Sequence, residues 1–116
     1  KSKEFLVAEF VELTIDQGAT FNTVITVNDG TGVGQNLVGY VARSQMRKSY
    51  YSSSKSSFNV TVSTPNIGEI TMAMTAANTA NLTPGRYVYD VEIDDGAGEV
   101  TRIFEGIITV LPNVTR

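Results

Sequence analysis

Apolar and polar residues alternate with a period of two along most of this chain, the pattern expected of half-buried strands. A first strand is predicted from Phe5 to Ile15, with Val11, Leu13 and Ile15 on one face and Glu12, Thr14 and Asp16 on the other. Gln17-Gly18-Ala19 then turns the chain, and Phe21, Thr23, Ile25 and Val27 alternate with Asn22, Val24 and Thr26. The next strand spans Leu37 to Lys48: Tyr40, Ala42, Ser44 and Met46 share one face, and Val41, Arg43, Gln45 and Arg47 share the other. Phe58, Val60 and Val62 mark a fourth strand, Ile70, Met72 and Met74 a fifth, and Tyr87, Tyr89, Val91 and Ile93 a sixth. The last runs from Val100 to Leu111 and sets Ile103, Glu105, Ile107 and Thr109 against Phe104, Gly106, Ile108 and Val110.

The segments between these runs carry turn chemistry. Asn28 to Gly34 is rich in glycine, which reaches positive φ without steric penalty. Ser49 to Ser57 is a polar loop bearing Tyr50 and Tyr51, and Pro65-Asn66-Ile67-Gly68 is a tight turn. Ala76 to Leu82 is the one helical candidate, limited to a turn or two because Thr and Asn favour caps over helix interiors. Asp94-Asp95-Gly96-Ala97-Gly98 is a strong hairpin signal. About seven strands with short connections and no crossover helices predict an all-β, antiparallel sandwich.

Leu82-Thr83-Pro84-Gly85-Arg86-Tyr87-Val88-Tyr89 narrows that class. In immunoglobulin-like sandwiches a tyrosine enters the penultimate strand just after a corner and hydrogen-bonds back to it; Tyr87 has that place. Tyr89 falls where antibody domains carry a cysteine. The expected fold is therefore an immunoglobulin-like antiparallel β-sandwich with one short helical turn. Its expected core is Phe21, Ile25, Tyr40, Ala42, Val60, Ile70, Met72, Tyr87, Tyr89, Val91, Ile103 and Ile107.

Composition removes chemistry more than it adds any. The 116 residues fit a single domain, 1–116, and contain no histidine, cysteine or tryptophan. Disulfides, Cys/His metal sites, thiol nucleophiles and imidazole bases are excluded. A net charge of −3 argues against nucleic-acid binding, and no apolar run approaches the roughly 20 residues that cross a bilayer. Asp29-Gly-Thr-Gly-Val-Gly lacks the lysine and following helix of a phosphate loop. Asp94 to Glu99 does not match the spacing of a calcium loop. Asp90 and Glu92 share a strand face, as outward acids on antiparallel strands commonly do. Neither an enzyme nor a cofactor is expected.

Charge is distributed unevenly. No acid occurs between Asp29 and Glu69, where Arg43, Arg47, Lys48 and Lys55 lie. From Asp90 to Glu105 six acids face Arg102 alone. Two readings stand: patches that guide docking to a partner or another copy, or neighbouring strands that neutralise each other. Tyr50 and Tyr51 beside a serine-rich run likewise read either as an adaptable contact surface or as one buried and one solvent-facing ring. Arg43, Arg47, Lys48, Tyr50 and Tyr51 are the candidate partner-binding residues.

Four strings then resemble a known family: Ile15-Asp16-Gln17-Gly18-Ala19-Thr20-Phe21, Leu37 through Arg47, Gly85 through Ile93, and Arg102 through Val110. In this order they resemble the small β-sandwich domains of tailed-bacteriophage virion proteins, including those that begin baseplate upper proteins and related tail or decoration proteins. The resemblance spans residues 8–116. It implies a non-enzymatic structural role in the virion, with other virion proteins or further copies of the chain as partners. A carbohydrate- or cell-surface-binding sandwich module is the alternative expectation, through Tyr50, Tyr51 and the glycine-rich tips.

Overall fold

Nine strands fold into two facing sheets in the computed structural model, which describes residues 9–28 and 34–114. They are β1 (Glu9–Phe10), β2 (Leu13–Asp16), β3 (Phe21–Thr26), β4 (Val41–Arg47), β5 (Ser56–Ser57), β6 (Asn59–Thr64), β7 (Glu69–Met74), β8 (Gly85–Asp94) and β9 (Val100–Leu111). The first sheet has the order β1-β9-β8-β4-β5, with β2 continuing β1 along β9; the second is β3-β7-β6. Counting β1 and β2 as one interrupted strand and setting aside the two-residue β5 leaves seven principal strands. They divide four and three between the sheets, an all-β sandwich. Asp29–Val33, the glycine-rich loop, and Phe5–Ala8, the predicted start of the first strand, lie outside the described residues.

One strand departs from the antiparallel expectation. β1 and β2 pair with β9 in parallel, Glu9 opposite Phe104 and Leu13 opposite Ile108. The register is the same on both sides of the break at Val11 and Glu12, so the interruption is local. Its cause is Gly106. A Cβ there would overlap the Val11 carbonyl oxygen. Without that Cβ, the first strand closes over β9, and the Val11 amide donates to the Glu105 carbonyl at 2.9 Å. Opposite Gly106 in β8 stands Tyr89, whose buried side chain donates its hydroxyl to Val11 O at 2.8 Å.

The tyrosine corner forms as the sequence predicts. The Tyr87 hydroxyl donates to Thr83 O at 2.7 Å, closing the corner between α1 (Ala76–Ala80) and β8. Lys48 Nζ lies 4.7 Å above the Tyr87 ring, a cation–π contact that covers the corner from β4's end. The Thr75 side chain caps α1 by accepting from Asn78 N at 3.2 Å. Thr79, wholly buried in that helix, accepts from Gly18 N and donates to Ala19 O, so α1 also clamps the β2–β3 turn.

The core lies between the sheets. Ile15, Leu37, Ile70, Met72, Val91 and Ile108 are completely buried, each worth about 1.5–3 kcal/mol on leaving water. Ala42, Tyr87, Tyr89 and Ile103 join them as predicted. Phe21, Ile25, Tyr40 and Val60 are partly buried and pack against this centre, Phe21 tilted on Phe58 at 5.7 Å between ring centroids.

Ile107 corrects the expectation. β8 and β9 shift register between Val91 and Glu92: Val91 faces Phe104 and Glu92 faces Arg102, leaving Ile103 as an extra, bulged residue. The bulge sends Ile103 and Phe104 both inward and inverts the alternation, so Phe104, Gly106, Ile108 and Val110 line the core. Ile107 falls on the outer face. The same bulge puts Arg102 and Glu105, three residues apart, on one side, where they pair at 2.8 Å.

Two substitutions test these contacts. Tyr87→Phe loses the corner hydrogen bond and is expected to cost about 1 kcal/mol in denaturant unfolding; an unchanged midpoint contradicts the corner. Gly106→Ala forces a methyl against the Val11 backbone and should cost about 1–3 kcal/mol in denaturant unfolding; an unchanged midpoint contradicts the close approach.

Candidate functional site

Alternation on β4 and β8 sends one set of side chains to the core and the other to the outer face of the first sheet. In antiparallel register Arg43 sits opposite Glu92, Gln45 opposite Asp90 and Arg47 opposite Val88. Beneath them Ser44, buried on the inner side, donates its hydroxyl to the Asp90 backbone carbonyl. Over the outer face lies a groove of about 390 Å³, lined among others by Arg43, Gln45, Arg47, Tyr50, Asp90 and Glu92. Its size falls within the roughly 300–1,000 Å³ of small-molecule sites.

The groove's rim is a built turn. Ser52 N donates to Ser49 O at 3.1 Å, which places Tyr50 and Tyr51 at the two central positions of a β-turn. Ser49 N donates to Ser52 Oγ at 3.2 Å, and the two hydroxyls meet at 3.1 Å. Arg47 Nη1 reaches out of β4 to the Ser52 carbonyl, tying the turn to the sheet. At the far end β5 pairs with β4, Gln45 opposite Ser57, before buried Phe58 carries the chain into the second sheet.

Three of the five residues singled out by sequence therefore converge. Arg43, Arg47 and Tyr50 line the groove. Lys48 is turned instead to the Tyr87 ring. Tyr51 is 98% exposed and projects from the turn without lining the groove, while Tyr50 is 66% exposed, so neither ring is buried. Gln45, Asp90 and Glu92 line the groove as well. The first two of these face each other across the β4–β8 ladder, a pairing that follows from register and has no local sequence signal.

Electrostatics decides between the two readings of the charge asymmetry. The acid-free and acid-rich stretches are adjacent strands. Arg43 Nε lies 3.5 Å from Glu92 and its Nη2 lies 3.4 Å from Asp94. These exposed pairs contribute little stability, but they cancel charge within the monomer. Of the two readings, neighbouring strands that neutralise each other is the one this arrangement fits. Arg47 takes the Ser52 carbonyl and Gln45 Oε1 and forms no carboxylate pair among the described residues.

Asp90 is the strained member of the groove. Loss of solvent and the neighbouring Glu92 and Glu105 carboxylates raise its pKa above the ordinary aspartate value, against the opposing pull of Arg102 and Arg47. No group of three or more metal-ligating side chains occurs among the described residues, and no described helix is long and apolar enough to cross a membrane. The arrangement offers hydrogen-bond donors, acceptors and an aromatic rim: equipment for binding.

Compared with known proteins, the chain matches no family model and no curated protein.

The raised pKa fixes the sign of a stability effect. The folded state holds the Asp90 proton more tightly than the unfolded chain, so wild-type stability falls as pH rises from the ordinary aspartate pKa through the raised one. Asp90→Asn should melt higher than wild type at neutral pH, with the gain shrinking through that window and vanishing below it. Thermal melts across acidic to neutral pH check this; a variant less stable at neutral pH contradicts it.

Proposed function

We propose that the chain is a non-enzymatic structural module of a tailed-bacteriophage virion, acting in baseplate, tail, neck or capsid decoration by joining other particle proteins or further copies of itself. The observation that supports this reading is where the family-like strings fall. They map onto the end of β2 with its turn into β3, and onto β4, β8 and β9, so all but Phe21 of their strand residues belong to one sheet. The outward residues of that sheet offer a face for docking. Because charge is cancelled across β4 and β8, such docking relies on shape and hydrogen bonds, and its affinity depends little on salt.

A second reading, a carbohydrate- or cell-surface-binding module, is favoured by the groove itself, with Tyr50 held at its rim by a preformed turn. Tyrosine offers a large amphipathic surface at small entropic cost.

Mass spectrometry of particles purified from cells carrying the gene tests the first reading. The chain is expected in the particles at a fixed ratio to the major structural proteins, retained through density-gradient and high-salt washing. Its absence from washed particles overturns the proposal.

A further inference from the structure

The groove wall holds a carboxylate with no hydrogen-bond donor among the described residues. Arg43 is held by Glu92 and Asp94, and Arg47 by Ser52 and Gln45. The Asp90 carboxylate, half-buried in the groove wall, receives no hydrogen bond from the described residues. It is a partly desolvated acceptor, with Glu92 and Glu105 pressing on it and Arg102 and Arg47 pulling the other way. Ligand hydrogen-bond donors placed there would replace water that the site already holds poorly.

Charge balance then selects the ligand class. Arg43 and Arg47 stand against Asp90 and Glu92 in the same lining. A cationic ligand drawn to Asp90 meets two guanidinium groups, and an anionic one drawn to the arginines meets two carboxylates. A neutral polyhydroxylated molecule avoids both penalties, because each hydroxyl can donate to a carboxylate and accept from a guanidinium or amide. Tyr50 adds an aromatic wall for the apolar C–H face of such a molecule, at a fixed position set by the Ser49–Ser52 turn.

We infer that the groove between β4, β8 and the Tyr50 turn binds a neutral saccharide, with Asp90 accepting hydrogen bonds from its hydroxyls, Gln45 supplying an amide and Tyr50 stacking on a sugar ring. This inference rests on the carbohydrate-binding reading and assigns it a site and a ligand charge. Arg47 is a positioning residue that holds the turn.

The test is a glycan array of neutral, acidic and amino-sugar oligosaccharides, followed by NMR titration of the isotope-labelled full chain with the best neutral glycan. Binding of neutral glycans, with amide shifts centred on Gln45, Tyr50 and Asp90, is the expected result. Asp90→Asn and Tyr50→Ala should each weaken binding more than tenfold, while Tyr51→Ala changes it less than threefold. A variant's native-like amide spectrum separates lost contacts from lost folding. Neutral-glycan binding that survives both groove variants overturns the assignment of the site and leaves the carbohydrate reading standing. Preference for acidic or amino sugars overturns the neutral-ligand assignment. Silence across the whole array defeats the carbohydrate reading itself, and the inference with it.

Discussion

Strand β9 can take the first strand along its edge because Gly106 presents no side chain to Val11. The contact is backbone on backbone, so any Cβ would drive the two strands apart. Tyr89 completes it from the other side, reaching from β8 to the Val11 carbonyl and satisfying a polar group that the strand break would otherwise strand beside the core. From that anchor β2 delivers Ile15 into the centre of the sandwich, and the following turn passes the chain to the second sheet. Thr79 and Gln17 then lock the turn: Gln17 donates to Leu82 O and accepts from Asn113 N, tying the corner to the C-terminal segment. One missing side chain thus governs how the first strand, the corner and the last strand meet.

The outer face of the same sheet is built under a different constraint. Strands β4 and β8 carry opposite charge, and their register brings Arg43 against Glu92 and Asp94. Cancellation there leaves a surface with little long-range field but a dense local supply of donors and acceptors. Asp90 stands slightly outside that balance. Partial burial and the nearby Glu92 and Glu105 raise its pKa, while Arg102 and Arg47 pull against them, and its partner across the ladder is neutral Gln45.

The serine-rich loop shows how an apparently flexible stretch becomes a defined feature. Its composition suggests adaptability, but the two central tyrosines are held by a backbone turn bond, two serine side-chain contacts and the Arg47 guanidinium. Arg47 belongs to β4, so the rigidity of the sheet extends to the rim. Lys48, one residue further, is directed to the Tyr87 ring instead. Adjacent cations thus serve two features, one the groove rim and one the corner.

Period-two alternation, turn chemistry and the Pro84-Gly85-Arg86-Tyr87 string sufficed for the all-β class, the immunoglobulin-like corner and the inward faces of β4 and β8, because these depend on neighbours a few residues apart. The sites of the candidate surface were legible in part: Arg43, Arg47 and Tyr50 stood out by type, while Gln45 and Asp90 became neighbours through pairing 45 residues apart. Three features belonged to tertiary structure alone. The first strand's parallel docking needs Val11 and Gly106 to meet across the whole length of the chain. The placement of Ile107 depends on a bulge that appears where β9 must match β8, and no local pattern encodes that mismatch. The fate of the two charged stretches turned on whether their strands were adjacent, since Coulomb attraction depends on distance in space and is blind to distance along the chain.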